Sequence, residues 1–242
     1  MGDGADGQVY RFDLGDGDNP LSPAVLEAFT LVLDEIEAAE GARALVTSGS
    51  GRVWSNGLDL VWMGEHSGEV VGYLEQVHRL LARIIELGVP TVAAVTGHAF
   101  GAGAMLSLCH DVTVMRSDRG YWCLPEVDLG MFLLPGEQAV VTSKLVPATV
   151  NEALTTGRRY TAPEALAAGI VQEVAAETDV VDRALAIAGE RAAKATGSLA
   201  AIKRGLYGDV ADRLRRDMAE MVRGDSTGAI ASEFMALLRG EG

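Results

Sequence analysis

Cysteine is scarce in this chain: its 242 residues include only Cys109 and Cys123, both in apolar surroundings. That excludes a disulfide framework and a cysteine-ligated metal cluster, and it predicts two buried thiols. The 4 histidines are dispersed without a paired ligand spacing, so no metal site is expected. Basic charge is in deficit as well, with 20 Lys and Arg against 34 Asp and Glu and a net charge of -14. Such a chain repels nucleic-acid phosphates and anionic lipid surfaces, while a small anionic ligand stays compatible with it. There is no GxGxxG fingerprint and no GK[ST] ending of a phosphate loop, so nucleotide phosphates are not the evident target. The first residues lack the basic start and continuous apolar centre of a secretory signal, and a cytoplasmic location is expected. Acidic and basic residues are missing altogether from Val89 to Cys109. Pro90, His98 and the glycines of that stretch make it a buried strand and helix rather than a membrane span.

Apolar residues are plentiful, at 48%, and most of the chain resolves into strand and helix periods around a substantial core. Gln8 to Leu14 alternates as a strand. Ser22 and Pro23 open a helix in which Leu26, Phe29, Leu33 and Ile36 recur at helical spacing until Gly41. Ala42 to Thr47 reads as a buried strand, followed by a Ser/Gly loop and a segment whose Gly57 stands between strand and helix. A longer helix covers Glu69 to Leu87, with Gly88 and Pro90 as its stop. Strands follow at Thr91–Thr96, Val112–Met115 and Tyr121–Cys123, with a helix over about 102–109 between the first two. Beyond Gly136 the pattern is mainly helical, broken at Pro147 and Gly157 and by a short strand at Ile170–Val174. No internal repeat is evident. The pattern gives an α/β core over residues 1–175 and a helical region over 176–242.

Residues 97–105, GHAFGAGAM, carry the most chemistry. A β-branched strand runs into Gly97, and the chain turns through Gly101 and Gly103 into a helix start. Glycine permits tight turns and close ligand approach. The exposed N–H groups of a helix N-terminus beside such a turn can stabilise a developing oxyanion with no charged side chain. Small residues also occur wherever a helix packs closely on a sheet, so this turn alone does not identify a ligand.

Three segments in order, WSNGLDL at 54–60, the 97–103 turn and PEVDLG at 125–130, resemble the crotonase superfamily, the enoyl-CoA hydratase/isomerase family. The resemblance covers nearly the whole chain, and RSDRG at 116–120 leans toward its Δ3,Δ2-enoyl-CoA isomerase branch. It implies a crotonase-like spiral of ββα units, a C-terminal helical trimerisation region giving a homotrimer or a dimer of trimers, and an acyl thioester of coenzyme A as substrate, in fatty acid β-oxidation. Coenzyme A would enter as part of the substrate, with no metal or covalently held cofactor. The implied oxyanion donors are the backbone N–H groups of Leu58 and Ala102, and the implied catalytic base is Glu126. Ser55, Gly57, Asp59, Gly101, Gly103 and Met105 are the implied substrate-binding positions.

The family's hydratases manage water with two glutamates, and this chain keeps one of them. Glu126 stands in the third motif, whereas the other position is Met105, which neither binds a proton nor fixes water. One base can take a proton from C2 and return it to C4 across a delocalised dienolate, so the chain is expected to shift a C3=C4 double bond to C2=C3. Dienoyl-CoA isomerases place acids at the positions of Met105 and Leu134, and both are apolar here. Trp122, Leu124, Met131, Phe132 and Leu133 surround Glu126 in sequence and are expected to raise its proton affinity by desolvation. Asp128 is read as a cap or a surface hydrogen-bonding group, His98 as a shaper of the turn, and Trp54 and Trp62 as packing residues. Two alternatives stay open: a hydratase or other thioester reaction on the same scaffold, and a non-catalytic acyl-CoA-binding subunit.

Overall fold

The computed structural model describes residues 7–223, with side chains as far as Arg216. Of the helical region expected over 176–242, residues 224–242 therefore lie outside the described part. The described elements are β1 (Gln8–Asp13), α1 (Pro23–Ala38), β2 (Arg43–Ser48), β3 (Val53–Ser55), α2 (Leu60–Glu65), α3 (Val70–Glu86), β4 (Thr91–Val95), β5 (His98–Phe100), α4 (Ala102–Cys109), β6 (Val112–Arg116), β7 (Trp122–Cys123), α5 (Pro135–Lys144), α6 (Pro147–Thr156), α7 (Ala162–Ala167), β8 (Glu173–Ala175), α8 (Val180–Arg191) and α9 (Gly197–Arg223). None of the described helices is long and apolar enough to cross a membrane.

The strands sort into two parallel sheets, a five-stranded one in the order β1-β2-β4-β6-β8 and a three-stranded one in the order β3-β5-β7. Each repeat places one strand in the large sheet, one in the small sheet, and then a helix: β2-β3-α2, β4-β5-α4 and β6-β7-α5. This is the ββα spiral of the crotonase fold. The joints between paired strands stack with no room for side chains. A Cβ built on Gly51 would lie 2.1 Å from the Asp16 carbonyl oxygen, one on Gly97 2.1 Å from that of Arg52, and one on Gly120 2.7 Å from that of Gly97.

Strand alternation divides the core. Ala44, Val46, Val92, Ala94, Val112 and Val114 pack beneath α8, against Val180, Ala184, Ile187 and Ala188. The opposite face, including Leu45, Ala93, Val95 and Met115, joins the larger core with Phe29, Leu33 and Ile36 of α1 and Leu74, Leu81 and Ile85 of α3. Each such side chain, fully buried, contributes about 1.5–3 kcal/mol. Ser22 caps α1 by accepting from the Val25 N–H at 3.4 Å, with Pro23 in the first turn, as the sequence pattern predicts.

Two boundaries differ from the sequence reading. Residues 98–100 form a strand before the second elbow rather than part of a bare turn, because the Gly101 N–H donates to the Cys123 carbonyl (3.1 Å) and the Ala99 N–H to that of Tyr121 (2.9 Å). The strand expected at 170–174 is instead β8, Glu173–Ala175. Ile170 and Val171 turn back onto the end of α7, both donating to Ala165, so pairing with β6 begins only at Glu173.

The last described helix, α9, lies along α3 and α5. Its Lys203 is 2% exposed and reaches Asp111 at 2.9 Å, next to the start of β6. Asp111 also accepts from the Thr91 N–H (2.9 Å) and hydroxyl (3.1 Å), so one carboxylate ties α9 to two neighbouring strands. Nearby, the buried His110 has Nδ1 2.8 Å from the Leu106 carbonyl and Nε2 2.8 Å from the Thr47 hydroxyl, and burial pulls its pKa down to about 4. A carbonyl on one nitrogen and a hydroxyl on the other suit a single neutral tautomer.

Candidate active site

The two glycine elbows lie against each other. Gly57 has φ +83°, and a Cβ there would lie 2.7 Å from the Phe100 carbonyl oxygen and 2.9 Å from the Ala102 nitrogen. Only glycine meets both the left-handed backbone and the close approach. Gly103 in turn packs on Ser55, whose backbone oxygen and side chain would lie 2.6–2.7 Å from an added Cβ. These contacts set the start of α4 beside residue 58. Among the described residues, neither the Leu58 N–H nor the Ala102 N–H donates to a protein acceptor, as the first amides of a helix and its approach allow.

Leu58 and Ala102 both line a cavity of about 260 Å³, together with Asn56, Leu60, Phe100, Gly101, Met105, Cys123, Pro125, Glu126, Leu129, Met131, Phe132, Glu137 and Arg159. All three sequence motifs thus meet at one cavity. Glu126 sits on the turn after β7, where Leu129 and Met131 donate their N–H groups to its backbone carbonyl. The residue is 9% exposed, and among the described residues its Oε2 has no hydrogen-bond partner. The other oxygen, Oε1, lies beside Gly101, 3.4 Å from where a Cβ would stand. Burial is the largest cause that raises its pKa from 4.5 to about 7, and the charge of Glu137 pushes in the same direction.

The remaining predicted positions divide between cavity wall and scaffold. Gly101 and Met105 line the cavity; Met105 is 2% exposed and leaves its part of the wall apolar. Ser55 does not reach it: fully buried, it donates to the Asn19 carbonyl (2.9 Å) and accepts from the Gly57 N–H (3.3 Å), so it shapes the first elbow. Asp59 is likewise occupied, capping α2 by accepting from the Trp62 N–H at 2.9 Å, while its own N–H donates to the Tyr73 hydroxyl. Gly57 and Gly103 act through close packing rather than as cavity wall. Asp128 is exposed and lies against Gly157, apart from the cavity. His98 accepts from the Tyr121 N–H and stacks on Phe100 and Tyr121, consistent with a role in shaping the turn. Trp54 is buried, and Trp62 stacks on His66. Both cysteines are buried, which pushes the thiol of Cys109 up to about 12 and that of Cys123 to about 11.

Two charged wall residues escaped the sequence reading. Glu137 stands at the third position of α5 and caps the helix start from inside, accepting from the Leu134 N–H at 2.7 Å. In sequence it is an ordinary first-turn acid. Arg159, in the turn before α7, lies 5.7 Å from the Phe100 ring centroid. No local pattern separates it from its neighbour Arg158, which instead pairs with Glu152 and Glu164.

A parallel ββα spiral whose glycine elbows face one buried carboxylate is the crotonase architecture. Residues 9–224 match the family described as Enoyl-CoA hydratase/isomerase, and the chain belongs to that family, which acts on acyl-CoA thioesters. Among its relatives is "Enoyl-CoA delta isomerase 2, peroxisomal" of Arabidopsis thaliana, 31% identical over 83% of this chain and 89% of the relative. "Carnitinyl-CoA dehydratase" of Salmonella paratyphi A is 34% identical over 77% of this chain and 70% of the relative. A solved structure described as an enoyl-CoA isomerase of Mycobacterium tuberculosis superposes with a TM-score of 0.82 at 28% identity, covering 89% of this chain and 94% of that one.

Proposed function

We propose that this protein is a Δ3,Δ2-enoyl-CoA isomerase. The observation that carries this reading is the unpartnered Oε2 of Glu126, buried next to the second elbow of a cavity where Met105 supplies no second carboxylate. In this reading the thioester oxygen sits between the N–H groups of Leu58 and Ala102, each contributing about 3 kcal/mol to the enolate-like transition state. Glu126 takes a proton from C2, the C–H electrons spread over the dienolate and its oxygen, and the same carboxyl returns the proton to C4. A base with a pKa of about 7 is half ionised near neutral pH, which suits both halves of that transfer. The isomerases among its relatives support the assignment.

A hydratase or dehydratase activity is the second reading, favoured by the carnitinyl-CoA dehydratase relatives and by a second carboxylate, Glu137, on the cavity wall. The deciding experiment follows conjugation of a cis-3-enoyl-CoA by ultraviolet absorbance, with crotonyl-CoA hydration and the Glu126→Gln variant in parallel. Fast, glutamate-dependent conjugation is expected. Dominant hydration would establish the second reading, and acyl-CoA binding without turnover would establish a binding subunit. We propose too that α9 takes part in a homotrimer or a dimer of trimers: Ile202 and Leu206, one turn apart on that helix, are 58% and 63% exposed. Light scattering on the purified protein measures the assembly directly.

A further inference from the structure

Behind the cavity wall, the buried His78 of α3 joins Glu137 to α9. Its Nδ1 lies 3.2 Å from the Leu214 carbonyl oxygen and its Nε2 3.2 Å from Glu137 Oε1. A carbonyl only accepts, so Nδ1 carries a proton; in that tautomer Nε2 donates to Glu137 only when the ring is an imidazolium. The contrast with His110, which meets a carbonyl and a hydroxyl, is one of proton count. His110 is satisfied when neutral, whereas His78 can donate from both nitrogens only with a second ring proton. The second oxygen of Glu137 accepts from the Leu134 N–H at 2.7 Å, at the helix end where negative charge is favoured. Glu137 is thereby fixed in place, with its carboxylate on the wall of the cavity that holds Glu126.

We propose that Glu137 is a positioning residue of this site: its fixed negative charge on the cavity wall makes Glu126 the stronger proton acceptor, and His78 behind it sets how much of that charge Glu126 feels. The inference rests on the reading of Glu126 as the base. The direction of the Glu126 shift agrees, since Glu137 adds to the effect of burial. Of the other ionisable groups near Glu126, Cys123 is a neutral thiol at working pH and Arg159 lies at the cavity wall. Asp59 is occupied in capping α2, and Asp128 lies against Gly157. Helix α4 contributes only the buried Cys109, also neutral.

The test is the pH dependence of kcat/KM for conjugation of a cis-3-enoyl-CoA, measured for the wild type, Glu137→Gln and His78→Gln, with thermal unfolding in parallel. Glu126 must be ionised to act, so the rate rises with pH through its titration. Glu137→Gln removes the neighbouring charge and is expected to move this acid limb down by about half a pH unit. His78→Gln keeps a neutral donor to Glu137 but loses the positive charge, so the limb is expected to move up. A merely structural role lowers the rate without opposite displacements. An unmoved limb in Glu137→Gln, or displacement of both variants in the same direction, overturns the inference; if His78→Gln does not fold, the direction in Glu137→Gln decides alone. Full turnover by Glu126→Gln would overturn the parent reading and this one with it. Loss of turnover there with an unmoved limb in Glu137→Gln overturns only this one.

Discussion

Asp111 and Glu126 are acids on the same scaffold treated in opposite ways. Asp111 is surrounded by donors: the Thr91 N–H and hydroxyl, and the Lys203 ammonium from across the core. Glu126 is 9% exposed, and one of its oxygens has no hydrogen-bond partner among the described residues. A carboxylate whose lone pairs are taken holds structure together. One removed from water without replacement donors gains proton affinity, which is what a base needs. The difference lies in what faces each group, since both acids stand directly before a valine in largely apolar stretches of sequence.

That contrast can be broken at either end. The largest effect is expected from Glu126→Gln in the conjugation assay, a loss of about 10²–10⁴-fold in kcat if the carboxyl is the proton carrier. Next is Lys203→Met, which keeps the length of the side chain but leaves Asp111 without its counter-ion. Denaturant titration should find it about 3 kcal/mol less stable, with the limb of any surviving activity unmoved. Third, Glu126→Gln should stabilise the fold at alkaline pH. With a folded pKa of about 7 against an ordinary 4.5, the folded state binds more protons than the unfolded chain between those values, so stability falls as pH rises across that window. Removing the ionisable group removes a destabilisation on the order of 3 kcal/mol above pH 7. Unfolding of the two proteins at pH 4 and pH 8 checks it: the stabilities should converge at the lower pH and separate at the higher. The smallest effect belongs to Arg79→Ala, which breaks an exposed pair with Glu75; a change within about 0.5 kcal/mol is expected by the same titration.

The alternation of strands and helices was legible because most elements follow local rules. Ser22 and Pro23 mark a helix start, Leu26 to Ile36 mark its buried face, and runs such as Thr91–Val95 have the β-branched density of central strands. The two elbows were legible because Gly57 and Gly101 sit where backbone must adopt positive φ. Contacts between distant segments were not. Ser55 and Asp59 fall inside a motif implied to bind substrate, and that their side chains serve the elbow and the α2 cap could not be read from it. Glu137 looks like any helix-opening acid until α5 is packed on the cavity, and nothing near His78 announces a partner 59 residues away. The start of β8 was misplaced because apolar Ile170 and Val171 resemble strand, while hydrogen bonds to Ala165 hold them to the preceding helix.

The stacked joints at Gly51, Gly97 and Gly120 have a consequence for how such a molecule changes over generations. Each joint touches the backbone of the one before it, so the turns of the spiral are stacked in contact at its spine. A side chain added at a joint would displace the turn above as well as its own. A substitution farther out, as at Met105 or Phe132, alters the cavity wall and leaves the spine in register. The inheritance is therefore split: three positions tolerate almost no variation, while the residues that select the reaction are free to be exchanged one at a time.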